Sequence, residues 1–132
     1  MPRAQWPLVR GRPVVPVVLT SAATGQPVQR ELLADTGAGG AHVGFELLLD
    51  ENDCLVCGGI PAQPVVLGGA HVGPFPVYVL RVQIPGVGFD RYLRAVGVPT
   101  RPPRLGGVAC FGFLNRFTYG NFGDPSQFGL ET

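Results

Sequence analysis

In the stretch LLADTGA, residues 32–38, a strongly apolar run ends on an acid, Asp35. Residues 28–34 first alternate and then become apolar, as a strand does when it enters a core. A carboxylate directly after such a strand costs free energy unless a partner satisfies it or chemistry uses it. Thr36 offers a hydroxyl donor, and Gly37 allows a tight turn with N–H groups close by. The stretch predicts a functional turn at Asp35; the plainer alternative is a glycine turn capped by this acid.

The rest of the sequence is typical of a turn-rich β domain. Its 132 residues fit one domain, and 20 Gly and 14 Pro divide it into short segments. A hydrophobic content of 45% with 14% charged residues argues against disorder. Strands are expected over residues 13–20, 28–34, 64–72, 75–84, 89–98, 107–110 and 127–131. So many short strands predict a closed or folded-over β architecture.

The segments between these strands carry the remaining expectations. Pro16 indicates an edge or a bulge in the first strand. Residues 1–12 are expected to be irregular, and residues 50–59 to form a polar loop. Residues 45–50 fit either one helical turn or a strand, and residues 113–117 fit a short helical turn.

Charge and cysteine content exclude several classes of function. A net charge of +1 and a pI near 7.8 provide no field to steer nucleic acid. The longest apolar runs, such as residues 14–19, are far too short to span a membrane, and the first residues lack the apolar core of a secretory signal. Three cysteines form no disulfide framework, which favours a reducing compartment. We expect a cytoplasmic protein that binds neither nucleic acid nor membrane.

Residues 32–38 and a second block, GVACFGFLNRF at residues 107–117, resemble the retropepsin-like aspartic proteases, the single-domain relatives of pepsin and retroviral proteases. The second block is similar to the family's apolar-apolar-Gly motif, which precedes a short helix and sits beside the catalytic loop. In this register the motif is Val108, Ala109 and Cys110, with Cys110 where the family usually has Gly.

The resemblance implies one retropepsin-like domain over residues 1–132, a mostly β, closed or folded-over barrel with one short helix near the C-terminus. It also departs from the family, because Gly-Gly at residues 39–40 stands where members often carry polar residues. By resemblance Asp35 is the catalytic acid. Thr36 would brace two such loops, and Gly37 and Ala38 would complete the loop.

Peptide hydrolysis by carboxylates alone needs two of them sharing one proton, one acting on water and the other polarising the carbonyl. The chain holds one Asp-Thr-Gly, and its other acids lack that context. The sequence therefore predicts a twofold homodimer in which Asp35 meets Asp35 of the partner. The predicted function is an aspartic endopeptidase acting on a peptide or protein substrate, without cofactor or metal.

A retropepsin-like protease also needs a flap over its substrate. The first candidate is the glycine-rich segment that includes Gly68, Gly69, Ala70 and His71, and the second is residues 58–60. The terminal segments, residues 1–12 and 125–132, are candidate intersubunit strands that would also cover open sheet edges.

Other polar residues have plainer interpretations. Cys54 and Cys57 have the spacing of half a zinc site, but no second half is recognisable, so a solvent-side loop is expected. His42 and His71 are expected in loops or on strand faces. Two alternatives to a protease remain open: a catalytically inactive dimerisation or peptide-binding module of the same fold, and an unrelated small β-barrel with a chance triplet.

Overall fold

The structure is a computed structural model that describes residues 2–39, 44–59, 61, 65–67, 73–99 and 106–132. The flap candidates Gly68, Gly69, Ala70 and His71, together with His42, lie outside the described residues. The strands and helices follow in chain order. They are β1 (Arg3–Pro7), β2 (Val14–Thr20), β3 (Pro27–Ala34), β4 (Leu47–Asp50), α1 (Glu51–Gly58), β5 (Val65–Leu67), β6 (Gly73–Phe75), β7 (Val77–Ile84), a 3-10 turn (Pro85–Val87), β8 (Phe89–Val98), β9 (Gly107–Ala109), α2 (Phe111–Leu114), β10 (Thr118–Gly120) and β11 (Gln127–Glu131).

Six strands close a barrel in the order β2-β3-β9-β4-β8-β7. Two of the contacts around the barrel are parallel, β3 with β9 and β4 with β8, and the others are antiparallel. The mostly β, closed architecture predicted from the sequence is confirmed. Pro16 also fits its prediction: β7 pairs with β2 only at Val18 and Leu19, so Pro16 lies where β2 has no partner on that side.

Every second side chain along a strand points inward, and these side chains fill the barrel interior. Val15, Val17 and Leu19 of β2 are buried, while the residues between them are partly exposed. A cluster of three phenylalanine rings adds to the core. Phe113 of α2 lies with its ring centroid 5.6 Å from that of Phe89 and 5.3 Å from that of Phe117. These contacts fix α2 against the barrel, next to the end of β9.

The predicted polar loop at residues 50–59 is wrong, because this segment forms α1. The Asp50 side chain accepts a hydrogen bond from the Asn52 N–H at 2.7 Å and so caps the helix. Cys54 and Cys57 are buried, not on the solvent side. The sequence carried one signal for this helix: Asp50 is followed three residues later by a second acid, as in a capping box.

The second flap candidate, residues 58–60, overlaps the end of α1, and residue 60 lies outside the described residues. Gly58 is the last residue of α1, and a Cβ there would lie 2.8 Å from the Tyr78 Cβ, so this glycine lies against β7. The short helix predicted at residues 113–117 begins two residues earlier, as α2.

The terminal segments pair with each other in a second sheet of order β1-β11-β10. The strand predicted at residues 127–131 is confirmed, whereas residues 3–7, expected to be irregular, form β1. The Arg3 Nε donates to Glu131 Oε2 at 2.9 Å across this pair. An intersubunit role for these termini stays a prediction, and β1 and β10 are the edges available for it. Within the described ranges, no helix is long and apolar enough to cross a membrane.

Candidate functional site

The parallel pairing of β3 and β9 brings the two sequence motifs together. Ala34 pairs with Ala109, so the residues that follow them, Asp35 and Cys110, emerge at the same end of the barrel. Strand β4 begins at this end as well, since Leu47 also pairs with Ala109. The candidate site is therefore built on strand ends that are fixed by the barrel.

The turn after β3 holds the Asp35 carboxylate in a defined orientation. Its Oδ1 accepts a hydrogen bond from the Gly37 N–H at 2.9 Å. A Cβ at Gly37 would lie 3.3 Å from the same oxygen, tighter than an ordinary contact. Asp35 is half-buried, while Thr36 and Gly37 are exposed, so the turn faces outward from the barrel. This hydrogen bond is compatible with both a capped turn and an oriented catalytic carboxylate.

The turn is anchored at both its ends to the junction between β9 and α2. The Asp35 N–H donates to the Ala109 carbonyl at 3.0 Å, and the Phe111 N–H donates to the Ala38 carbonyl at 2.9 Å. The intervening residue, Cys110, donates its N–H to the Glu46 carbonyl at 3.0 Å. Three segments distant in sequence are thus joined by backbone hydrogen bonds beneath the exposed tip.

Cys110 packs under this turn. It is fully buried in a small apolar cluster with Phe45, Val77, Val96 and Val98. Burial, and to a smaller extent the negative charge of Asp35, raise the pKa of the Cys110 thiol to about 12. The thiol therefore stays protonated at neutral pH and fills space beneath the turn, which does not suit a nucleophile.

An ion pair that the sequence did not reveal braces the same region. The Arg116 Nε and the second guanidinium nitrogen donate to the Glu46 carboxylate at 2.6 and 2.7 Å. The Glu46 N–H donates to the Arg94 carbonyl at 2.9 Å. Hydrogen bonds therefore hold both the backbone and the side chain of Glu46. No local pattern could have linked two residues 70 positions apart.

Asp35 itself has no cationic partner among the residues that the structure describes. Its side chain accepts from the Gly37 N–H, its own N–H donates to the Ala109 carbonyl, and its carbonyl accepts from the Ala38 N–H at 3.2 Å. The carboxylate is therefore held in place without being neutralised.

A groove of about 1370 Å³ lies beside the turn, and its lining includes Leu33, two residues before Asp35 in the sequence. Leu33, Leu48 and Val108 lie along it, and Arg10 and Arg12 lie at it as well. Asp35 is not among its described lining residues, so the groove and the carboxylate are neighbouring features and not one pocket.

The remaining predicted features are placed as follows. Strands β5 and β6, which flank the first flap candidate, pair antiparallel with Val65 opposite Phe75. The described residues contain no cluster of three or more His, Cys, Asp or Glu that could hold a metal. Cys54, Cys57 and Cys110 are all free thiols.

Comparison of the chain with models of protein families, with curated proteins and with solved structures gave no match.

Proposed function

We propose that this chain is an aspartic endopeptidase of the retropepsin-like type, in which Asp35 of one protomer and Asp35 of a second copy form the catalytic pair. The observation that carries the proposal is the Asp-Thr-Gly turn itself. Its carboxylate is oriented by the Gly37 N–H at 2.9 Å and has no cation beside it among the described residues. The carboxylate also follows directly on an apolar strand, where it costs free energy unless a partner satisfies it or chemistry uses it.

The position of the turn supports a twofold pair. Thr36 and Gly37 are exposed, so a second copy can approach the tip without displacing the core. The anchoring bonds to Ala109 and Phe111 lie beneath the tip, where they would hold it during that approach. In the pair, the Thr36 hydroxyl would brace the opposite loop, as the resemblance implies.

The chemistry follows from the behaviour of two adjacent carboxylates. Two like charges about 3 Å apart cannot both ionise, so the pair retains one proton. The ionised Asp35 takes a proton from a water molecule, which attacks the peptide carbonyl. The protonated Asp35 of the partner donates to the carbonyl oxygen, which gives a tetrahedral diol. The proton taken from water then passes to the nitrogen as the C–N bond breaks, and one hydroxyl proton of the diol goes back to the partner's Asp35, so that the pair again shares one proton. Water is the only reactant besides the peptide.

The pH dependence follows from the same pair. A doubly ionised pair lacks the acid and a doubly protonated pair lacks the base, so only the singly protonated form acts. We expect a bell-shaped rate with its maximum on the acid side of neutrality. Activity that rises from pH 7 to 9, or that thiol alkylation abolishes while the dimer persists, would place the chemistry elsewhere.

The deciding experiment mixes active and inactive chains. Purified protein is incubated with a peptide library, and Asp35→Asn protein is then added in increasing excess. Heterodimers hold one competent carboxylate, so activity should fall as they form, and Asp35→Asn alone should retain less than about a thousandth of the parent activity. Asp90→Asn is the matched control, since this exposed acid on β8 pairs with Arg81 and not with the turn. An Asp35→Asn protein with near-parent activity would refute the proposal. A folded, dimeric parent that cleaves nothing would favour the inactive-module alternative.

A further inference from the structure

The groove beside the site has an apolar floor made by neighbouring strands of the barrel. Leu33 of β3 pairs with Val108 of β9, and Val108 pairs in turn with Leu48 of β4. All three residues line the groove and remain partly exposed. They therefore form a continuous row of apolar side chains across three strands on the outer face of the barrel.

A tight hairpin carries two arginines to this groove. The Val9 N–H donates to the Arg12 carbonyl at 3.0 Å, and the Arg12 N–H donates back to the Val9 carbonyl at 3.0 Å. Arg10 at the turn has a φ of 52° and Gly11 a φ of 74°, both in the left-handed region. For a residue with a Cβ this conformation costs on the order of 1–2 kcal/mol. The hairpin thus presents Arg10 at a cost in backbone strain.

These two arginines differ from most others in the described part of the chain. Arg3, Arg30, Arg81 and Arg116 each pair with an acid within 2.9 Å. Arg10 and Arg12 have no such acid among the described residues, although both are exposed at the groove.

Besides Arg10 and Arg12, the described lining of the groove holds two charged residues, Arg30 and Glu31. Arg30 also lines the groove, but Asp53 binds its guanidinium through two bonds of 2.8 and 2.9 Å. Glu31 is the one acid among the described lining residues. The groove is therefore apolar along its floor and positive at the hairpin.

We infer that this groove binds an extended peptide segment that carries acidic side chains, with the carboxylates at Arg10 and Arg12. A space of about 1370 Å³ exceeds the usual size of small-molecule sites and suits several residues of an extended chain. Guanidinium groups bind carboxylates through paired hydrogen bonds, which selects acidic over basic side chains. The apolar floor would take the neighbouring side chains of the peptide.

The groove leads toward the proposed catalytic turn. Leu33 is two residues before Asp35, and the Ala34 N–H donates to the carbonyl of Pro13, the residue after Arg12, at 3.0 Å. A peptide held here can extend to the turn. Binding of an acidic peptide stands by itself, whereas its identity as the substrate rests on the proposed function.

Binding is measured by fluorescence anisotropy with Asp35→Asn protein, so that cleavage cannot interfere. The probes are three labelled ten-residue peptides with the same apolar half and with Glu, Gln or Lys in the other half. We expect the Glu peptide to bind most tightly, and the double variant Arg10→Gln, Arg12→Gln to weaken it about tenfold or more. Affinity for the Gln peptide should change less than about twofold. Arg91→Gln is the matched control, an exposed arginine with no acid partner among the described residues that does not line the groove.

Reversing the charge of both arginines gives a second test of the preference for acidic peptides. Arg10→Glu with Arg12→Glu should shift the preference to the Lys peptide, and raised salt should weaken the parent's binding of the Glu peptide. Equal affinities for the Glu and Lys peptides, or no binding of any of the three, would overturn the inference. The parent protein is assayed for cleavage in parallel. Glu-selective binding without cleavage would contradict only the proposed function, and cleavage without charge preference would contradict only this inference.

Discussion

Two carboxylates of this chain lie beside buried thiols, yet their surroundings are opposite. Asp53, on α1, is 9% exposed and receives two hydrogen bonds from Arg30, at 2.8 and 2.9 Å. Asp35, after β3, is half-buried and receives one hydrogen bond from the Gly37 N–H. The first charge is matched by a counterion that ties α1 to β3. The Asp35 charge is oriented by the Gly37 N–H and has no counterion among the described residues.

Asp53 is thus matched by a counterion, whereas Asp35 is oriented without one among the described residues. Removing Asp53 would leave the Arg30 guanidinium without its partner against the helix. Removing the charge of Asp35 leaves no cation unpaired among the described residues, because none is paired with it. Stability and activity should therefore respond to these two acids in opposite ways.

The largest difference is expected in stability. Asp53→Asn should lower the free energy of unfolding by about 2 kcal/mol, because it breaks a partly buried ion pair in the first turn of α1. Asp35→Asn should change it by less than about 0.5 kcal/mol. Urea unfolding of both variants measures the difference. Arg30→Gln and the double variant complete a cycle, and a coupling energy near zero between positions 30 and 53 would contradict the assignment.

A smaller effect is expected from the two thiols at alkaline pH. Burial first, and then nearby acids, raise the pKa of Cys54 and of Cys110 to about 12. Between pH 9 and 12 the unfolded chain ionises these thiols while the folded chain keeps them protonated, so stability falls as pH rises. The loss should be about 1.4 kcal/mol per thiol at pH 10.

Urea unfolding from pH 7 to 10.5 tests this expectation. Cys54→Ala and Cys110→Ala should each lower stability at pH 7 and flatten its decline above pH 9. An unchanged slope in either variant would show that the thiol is not held protonated by the fold.

The smallest expected effect concerns the brace below the Asp35 turn. Arg116 and Glu46 are 38% and 20% exposed, so solvent weakens their attraction. Arg116→Gln should lower the free energy of unfolding by about 0.5–1 kcal/mol, and Arg116→Lys by less. Arg91→Gln, which breaks no described ion pair, is the control. A cost of about 2 kcal/mol or more would place this pair with Arg30–Asp53 as a main structural ion pair.

The sequence predicted the parts of the fold that depend on local patterns. The strands expected over residues 13–20, 28–34, 89–98 and 127–131 correspond to β2, β3, β8 and β11, and the number of short strands indicated closure. The α1 helix was missed because Gly58-Gly59 and several polar residues outweighed a single capping signal at Asp50. In the fold, the side chains of Cys54 and Cys57, three positions apart, are buried against the barrel and stabilise this helix.

The local part of the candidate site was predictable from the sequence itself, whereas the place of residues 107–117 beside it came only from the resemblance. The apolar strand and the Asp-Thr-Gly triplet identified Asp35, because both features lie within one short stretch. The Arg30–Asp53 and Glu46–Arg116 pairs join residues 23 and 70 positions apart, so the strand order of the barrel decides them. The groove depends on the same order, since its floor joins β3, β9 and β4.

A crystal structure of the protein at mildly acidic pH, with its solution mass determined by sedimentation in the same buffer, tests the Asp35 pair directly. We expect a twofold dimer in which the two Asp35 carboxylates approach to about 3 Å, the separation at which such a pair shares one proton. A monomer, or a dimer that holds the two Asp35 side chains more than about 8 Å apart, would contradict it, because no shared proton could then support the proposed hydrolysis.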